Sequence, residues 1–511
     1  MKTYPSIFND CLSPVSPGPS SSNTAGPYRL GSMADDLLEG KASHLYIEMA
    51  KEGGYFATFY GMHSDKAFLA GILKKNIRTY DFDQIYTDAE SNDFSYTFEF
   101  TDSVPAKPSE SAWLTLRSDN GDKIFIKTAS LGGGEIVISE LDGIETYIDG
   151  KFYYLLVRAA TEKVSEVHTM LSCPFTTVDG GSGESLITVR SREPLNSKLV
   201  AELRHKEGVV YTRCINPVYD IIPVDTPQMP FATAEEMFAY VKEKNIPALD
   251  YERAISGCSD SDLMKIAESL WDLSVYSAEQ GYAVTSFDGN TSPHALQTKN
   301  RYENGPIVSL GVADKASADA LSIMEYAAAH GVIACMPTGG SSGIPVPSIR
   351  YSAEALKKSK EDCLKALLVA GIVGIFYYPT HYHGAWGCQA EIGVSISMTA
   401  GALASLLTDD PDVIERAAVL GAQSVLGQIC DPVDGCSQVP CFIRNMTAVP
   451  TAIICANAAL AGCETLLGLD KMSETVLRVG LKLKEYGIND LGVCYCKVQR
   501  DAAIATKRES R

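Results

Sequence analysis

Two cysteine-bearing stretches organise this sequence: residues 387–393 read Gly-Cys-Gln-Ala-Glu-Ile-Gly, and residues 430–441 read Cys-Asp-Pro-Val-Asp-Gly-Cys-Ser-Gln-Val-Pro-Cys. Glycine and proline surround these cysteines within an apolar, helix-prone part of the chain, which indicates loops that hold a metal centre. Thiolates are soft ligands that select iron–sulfur clusters or zinc. The spacing is not that of paired CxxC knuckles, so it does not by itself choose between these metals.

The composition excludes several classes of protein. A chain of 511 residues with 45% hydrophobic content is expected to form roughly two to four domains. Its net charge of −19 argues against binding to nucleic acid or to anionic membrane surfaces. No run of eighteen uncharged apolar residues requires a membrane span, and the N-terminus lacks an apolar signal-peptide core. We therefore expect a cytoplasmic protein whose cysteines are mostly reduced.

The C-terminal half is predicted to be helical. A proline-spaced linker at 223–230 precedes a region rich in alanine, leucine and glycine. Helical spacing of its apolar residues predicts an all-helical domain over 231–500, with a flexible tail at 501–511. The predicted helices are 233–244, 260–280, 315–330, 353–370, 389–407, 411–427, 447–467 and 471–485.

Two smaller units are predicted before the linker, so that the whole chain is a multidomain α+β protein. Residues 150–222 alternate in the order strand, helix, strand, strand, helix, strand, which is a ferredoxin-like unit. Within residues 1–149, an Asn-Gly turn inside 111–126 predicts a β-hairpin. The segment 43–51 is predicted as a helix.

Polar loops provide the candidate substrate contacts. The Ser- and Gly-rich segment 16–27 leads into a helix, where hydroxyls and backbone N–H groups can bind a carboxylate or phosphate or simply cap the helix. The segment 336–345, Met-Pro-Thr-Gly-Gly-Ser-Ser-Gly-Ile-Pro, offers backbone N–H groups in the same way. The candidate donors are Ser20, Ser21, Ser22, Asn23, Thr338, Gly339, Gly340, Ser341 and Arg444.

The order of these motifs resembles one family. The chain carries Gly-Pro-Ser-Ser-Ser at 18–22, Asp-Lys-Ala at 65–67, Gly-Gly-Gly at 132–134, Pro-Thr-Gly at 337–339, the two cysteine stretches, and Gln-Val-Pro-Cys-Phe-Ile-Arg-Asn at 438–445. In this order it resembles bacterial-type iron–sulfur L-serine dehydratases (L-serine ammonia-lyases) over nearly its whole length. The resemblance implies a β-type domain at 1–149, an ACT-like domain at 150–222 and an α-type domain at 231–500.

The resemblance also implies a chemistry. Cys388, Cys430 and Cys441 match the positions that hold a [4Fe–4S] cluster in the family, and one iron is left open as a Lewis acid. The implied reaction converts L-serine to pyruvate and ammonia, and the ACT-like domain implies a homodimer. Cys436 is not a ligand position in the family. Cys494 and Cys496 are followed by a charged tail, so they receive no assigned role.

The chain departs from the family where histidines are expected. Asn23 stands in Ser-Asn-Thr where the family has Ser-His-Thr, and Met62 occupies the position of a second histidine, with His63 one residue later. An asparagine cannot act as a base at neutral pH, which leaves His63, His381 and His383 as candidate bases. Three alternatives remain open: a divergent serine dehydratase, a β-elimination lyase for cysteine or another β-substituted amino acid, and a catalytically silent amino-acid sensor.

Overall fold

The computed structural model describes residues 4–107, 110–241, 247–378, 387–430, 433 and 436–485. Four residues singled out by the sequence therefore lie outside the described residues: His381, His383, Cys494 and Cys496.

The first part of the chain forms a mixed six-stranded sheet covered by helices. The strand order is β3-β2-β4-β5-β6-β7, in which β3 is parallel to β2 and the other pairs are antiparallel. In chain order the elements are β1 (Val15–Pro17), α1 (Ala25–Leu37), β2 (Ala42–Ala50), α2 (Gly54–Thr58), α3 (Ser64–Ile72), α4 (Ile85–Ser91), β3 (Ser95–Thr101), β4 (Glu110–Ser118), β5 (Lys123–Gly132), β6 (Glu135–Leu141) and β7 (Ile144–Ile148).

The helix predicted over 43–51 is wrong, because this segment is strand β2 inside the sheet. Leu45, Ile47 and Met49 are each fully buried, and they alternate with less buried residues. This spacing of two puts the apolar side chains on one face of a strand. The predicted hairpin is confirmed as β4 and β5, whose turn contains Gly121 at φ +92°.

Helices α1 and α3 pack against each other at very short range. A Cβ built on Gly31 would lie 2.4 Å from the carbonyl oxygen of Phe68, and one on Gly71 would lie 2.1 Å from that of Tyr28. No larger residue fits at either crossing point. The two helices therefore pack backbone to backbone, and the hydrogen bond from Ser64 Oγ to Asn23 Oδ1 joins the loop before α1 to the first residue of α3.

The next unit has the predicted order of strands and helices. Its elements are β8 (Tyr153–Ala160), α5 (Val164–His168), β9 (Phe175–Asp179), β10 (Glu184–Ser191), α6 (Ser197–Arg204) and β11 (Val209–Ile215). The strands form an antiparallel sheet in the order β11-β8-β10-β9, which is the ferredoxin-like arrangement. Val167 of α5 and Leu203 of α6 are fully buried in a common core with Val157 and Ile187 of the sheet.

The rest of the described chain is mainly helical and encloses the largest hydrophobic core. Its elements are α7 (Ala234–Val241), α8 (Pro247–Ser256), α9 (Asp260–Gly281), α10 (Ala295–Asn304), α11 (Val312–Ala328), β12 (Val332–Ala334), α12 (Pro345–Ala355), α13 (Lys360–Ile375), α14 (Ile392–Ser405), α15 (Pro411–Gln423), α16 (Ile443–Leu460) and α17 (Leu469–Glu485).

The prediction of an all-helical domain needs one correction, the short strand β12. It pairs antiparallel with β1 from the start of the chain, with Val15 opposite Ala334. Three residues are too few to show a strand period in the sequence, and their partner is more than 300 residues away. The first residues of the chain also join the helical core, where Ile7, Phe8 and Leu12 are buried. The predicted domain boundaries themselves remain a prediction.

One helix in the described part of the chain is long and apolar enough to cross a membrane by length and composition, Gln438–Leu460. Buried core helices pass the same test, and 44% of its most apolar window is buried within the protein. Asn445, in the first turn of α16, is completely buried and hydrogen-bonded to two loops. These contacts are typical of a helix in a protein core.

Candidate active site

The pairing of β1 with β12 brings the two predicted substrate loops together. Gly18 donates a backbone hydrogen bond of 3.2 Å to the carbonyl oxygen of Gly331. Further along, the Gly339 N–H donates to Ser21 Oγ at 3.3 Å. A Cβ on Gly339 would lie 3.0 Å from both the Pro19 oxygen and the Ser21 nitrogen, so the two loops meet at van der Waals distance. The hydroxyls of one loop and the N–H groups of the other thus lie at one place.

The N-terminal loop is held in shape by its own side chains and by Asn23. Ser20 Oγ lies 3.3 Å from Ser22 Oγ, and Asn23 Nδ2 donates to Ser20 Oγ at 3.2 Å. Asn23 Oδ1 accepts from Thr58 Oγ1 at 2.9 Å and from Ser64 Oγ at 3.0 Å. The side-chain amide of Asn23 therefore joins the loop to α2 and α3. Asn23 has a structural role here and does not act as a base.

The second loop is a tight turn, Gly339–Ser341, closed by its own hydroxyls. Thr338 and Ser341 are buried and form a reciprocal cap, with 3.2 Å between their side-chain oxygens. Asn445 joins this turn to the cysteine loop. Its Nδ2 donates to the carbonyl oxygens of Gly340 at 2.7 Å and Cys441 at 2.9 Å, and its Oδ1 accepts from the Gly343 N–H at 3.2 Å. Asn445 was assigned no role from the sequence, which contained no sign of its partners.

The cysteine loops converge beside this turn. Cys388 opens the short turn Cys388–Ala390, is 1% exposed and shares a hydrogen bond with Cys430. That hydrogen bond and burial raise the pKa of the Cys430 thiol well above its usual value, and the negative charge of Cys441 adds to the shift. The backbone supports the pair, because the Gln389 N–H donates to the carbonyl oxygen of Gln428 at 3.0 Å.

Arg444 lies against the cysteines. Its Nη1 is 3.0 Å from Cys388 Sγ and donates to the carbonyl oxygen of Ile429 at 2.9 Å. A guanidinium at this distance donates a charge-assisted hydrogen bond to the sulfur. The predicted contact between Arg444 and a substrate carboxylate stays a prediction.

The described residues include no group of three His, Cys, Asp or Glu side chains arranged around a single ion. A cluster makes a different demand, because each thiolate binds its own iron and the sulfur atoms need not converge on one point. Cys388, Cys430 and Cys441 are soft donors from two adjacent loops. This donor set suits an iron–sulfur cluster better than a hard ion such as magnesium.

His63 lies at the other side of the N-terminal loop, next to Ser64. It is 4% exposed, adopts φ +63° and contacts His330 edge to face, with 3.9 Å between the ring centroids. Burial, reinforced by the charge of His330, lowers the pKa of His63 to about 3. The imidazole is therefore neutral at physiological pH and has a free lone pair for a proton.

His330 was missed by the sequence analysis. Its Nδ1 lies 3.2 Å from Asp83 Oδ1, so the carboxylate fixes the orientation of the ring. Within the described structure, its buried Nε2 has no hydrogen-bond partner. The one local signal in the sequence was a His-Gly pair that follows a helix, and such pairs are common at helix ends. Only the approach of the helical region to α3 makes His330 a neighbour of His63.

Some known proteins resemble this chain over nearly its whole length, and others resemble its helical part. A family model described as serine dehydratase alpha chain matches residues 197–488. The chain is 27% identical to the L-serine dehydratase of Streptomyces coelicolor, over 96% of this chain and 98% of that protein. It is 27% identical to L-serine dehydratase 1 of Escherichia coli, over 95% of this chain and 97% of that protein. It is 30% identical to the L-serine dehydratase, alpha chain, of Peptoniphilus asaccharolyticus, over 51% of this chain and 93% of that protein.

Proposed function

The chain belongs to the serine dehydratase alpha chain family, and we propose that it is an L-serine ammonia-lyase. The reaction removes the α-proton and the β-hydroxyl of L-serine as water. The resulting aminoacrylate tautomerises to an imine, which a water molecule hydrolyses to pyruvate and ammonia. The observation that carries the proposal is the contact between the Ser21 and Gly339 loops beside the converging thiols of Cys388 and Cys430.

We propose that Cys388, Cys430 and Cys441 hold a [4Fe–4S] cluster. Their donor atoms are of the type that such clusters require, and the guanidinium of Arg444 lies within hydrogen-bonding distance of Cys388 Sγ. When bound, the cluster supplies a Lewis acid that makes the hydroxyl of serine a better leaving group.

The protein's own groups bind and orient the substrate in this proposal. The hydroxyls of Ser20, Ser21 and Ser22 and the N–H of Gly340 are the donors for the substrate carboxylate. The N–H groups of Thr338, Gly339 and Ser341 donate within the two loops and hold them in shape. Their loops are held by buried hydrogen bonds, so the donors are positioned before the substrate arrives, which lowers the cost of binding. Fixing the reacting bonds relative to the acid and base is itself a large part of catalysis.

His63 is the candidate base among the described residues, and His381 and His383 remain candidates outside them. A positioned base contributes roughly 10²–10⁴-fold to the rate. His63 is neutral and can accept a proton, but a pKa of about 3 makes it a weak base until a bound substrate changes its surroundings. His63→Ala is expected to abolish turnover and leave the cluster intact; retained turnover transfers the role to one of the other two histidines.

The proposal includes three statements about the whole protein. The ferredoxin-like unit β8 to β11 serves as an ACT-like, amino-acid-sensing module. The protein is a homodimer, since modules of this type commonly pair through their sheets or helices. It acts in the cytoplasm on a small amino acid.

A substrate panel with anaerobically reconstituted protein tests the function. We expect pyruvate from L-serine, measured with a coupled lactate dehydrogenase assay, together with the broad visible absorption of an iron–sulfur cluster. Cys388→Ser, Cys430→Ser and Cys441→Ser are each expected to lose both signals. Cys455→Ser is the matched control, because Cys455 is also buried (7% exposed) but lies on the far part of α16.

The same panel separates the alternatives. Pyruvate and sulfide from L-cysteine, without pyruvate from L-serine, would assign the chain to β-elimination from cysteine, a substrate change that the replacement of histidine by Asn23 permits. No product from any amino acid, with normal binding of amino acids, would identify a silent sensor. A normal absorption spectrum in the Cys388→Ser variant would contradict the proposed cluster site.

A further inference from the structure

One carboxylate of the candidate site, that of Glu391, lies beside the Thr338–Ser341 turn. Glu391 ends the Cys388–Ala390 turn and precedes α14, and its side chain is half-buried. No hydrogen bond reaches its carboxylate from the described residues, and Arg444 is the cation that acts on it. Burial raises the pKa of Glu391 to about 7, and the charge of Arg444 opposes the shift. A half-buried carboxylate that receives no hydrogen bond from the described residues can accept one from a cationic group of a ligand.

The position of Glu391 places this carboxylate between the two halves of the site. Its Oε2 is 3.1 Å from the point where a Cβ on Gly340 would lie, so the carboxylate faces the Thr338–Ser341 turn. A side chain at residue 340 would occupy this space, and glycine leaves it open. The charge of Glu391 also contributes to the raised pKa of the Cys335 thiol, which lies beside Ser21 of the N-terminal loop.

The surroundings of Glu391 define what kind of group it can bind. The Thr338–Ser341 turn and the facing serine hydroxyls present donors, which suit a carboxylate. Glu391 adds a single acceptor with negative charge next to those donors. A ligand that satisfies both must carry a carboxylate and a cationic donor within a few ångströms of each other, and an α-amino acid zwitterion has this pattern.

We propose that Glu391 binds the α-ammonium group of the amino-acid substrate and so makes the site selective for amino acids over hydroxy acids. The identity of the substrate in this assignment rests on the proposed function. The contact between the Glu391 carboxylate and an ammonium group does not. Glu391 is a positioning residue in this account: it holds the amino group and thereby directs the α-hydrogen and the β-hydroxyl. A charge-assisted hydrogen bond of this kind is worth about 10- to 100-fold in affinity.

Two ligands that differ in one group test the proposal. L-Alanine carries the α-ammonium and carboxylate but no β-hydroxyl, and L-lactate has a hydroxyl in place of the ammonium. Binding of each to the reconstituted protein is measured by calorimetry and as inhibition of serine turnover. In Glu391→Gln the affinity for L-alanine is expected to fall about 10- to 100-fold while the affinity for L-lactate changes less than about 3-fold. Glu391→Asp should recover part of the loss, because it restores the charge on a shorter side chain.

Controls separate this proposal from a folding defect and from the proposed function. Glu354→Gln removes an exposed carboxylate on α12 and should leave both affinities unchanged. The cluster absorption of Glu391→Gln reports whether the cysteine loops are intact. If that variant does not fold, the wild-type protein still tests the proposal. It is expected to bind L-alanine at least about 10-fold more tightly than L-lactate.

The outcomes are distinct. Equal loss of L-alanine and L-lactate binding in Glu391→Gln, or equal affinity of both ligands for the wild-type protein, overturns the assignment even if serine is dehydrated. A selective loss of L-alanine binding in a protein that does not dehydrate serine upholds the role of Glu391 and rejects the proposed reaction.

Discussion

Replacing Asn445 with alanine should loosen the connection between the substrate turn and the cysteine loop. Its side chain is 0% exposed and makes three hydrogen bonds, of 2.7, 2.9 and 3.2 Å, to the backbone of Gly340, Cys441 and Gly343. A buried hydrogen bond contributes about 1 kcal/mol net, so three amount to about 3 kcal/mol. The backbone groups that lose their partner lie in a buried or half-buried part of the site.

Urea unfolding followed by circular dichroism measures this loss, and hydrogen exchange at the Gly343 amide shows where it occurs. Asn445→Ala should unfold with a free energy lower by about 3 kcal/mol and exchange that amide faster. Asn457→Ala on the same helix is the control, because Asn457 is exposed and its replacement should change the free energy of unfolding by less than about 0.5 kcal/mol. A change below about 1 kcal/mol in Asn445→Ala, with the Gly343 amide still protected, would refute the assignment.

Two further predictions concern buried charge. The pKa of His63 in the folded state is about 3, below the unfolded value, so protons bind preferentially to the unfolded chain as the pH falls from about 6.5 towards 3. Between pH 7 and 4.5 the free energy of unfolding of the wild-type protein should fall by about 2–3 kcal/mol more than that of His63→Gln. If urea unfolding gives the two proteins parallel pH profiles, this prediction is wrong. Lys151 lies 3.3 Å from Asp10 and 3.8 Å from Glu135 in a buried cluster, so Lys151→Met should cost about 3–5 kcal/mol. Lys198→Met, at an 85% exposed side chain, should be neutral, and a similar effect of both variants on unfolding would show that the buried pairing is unimportant.

Local patterns were sufficient wherever a segment and its immediate neighbours decide the structure. The Asn-Gly turn predicted the β4–β5 hairpin, since such a turn matches the twist of paired strands. The alternation of strands and helices after residue 150 predicted the order of β8 to β11. Most long helices of the C-terminal part were visible in the spacing of their apolar residues, as for α9 over Asp260–Gly281. The helix predicted over 353–370 is wrong at its start, because α12 ends at Ala355 and α13 begins at Lys360.

Local patterns failed where a distant partner decides the structure. The segment of β2 contains leucine, methionine and alanine, which are good helix formers, yet it is a strand because β3 and β4 pair with it on both sides. Strand β12 is three residues long and exists because β1 lies beside it. Neither partner is visible in a window of ordinary length.

For the candidate site, the sequence determined which chemical groups the protein possesses, and the tertiary structure decided which of them meet. Cys388, Cys430 and the Ser20 loop could be named from their residue types and from the order of their motifs. The contact between Ser21 and Gly339, 318 residues apart, required the β1–β12 pairing. The roles of Glu391, Asn445 and His330 follow from burial and from neighbours that belong to other parts of the chain. Side-chain chemistry is a local property, whereas the distances that turn it into a site are set by packing.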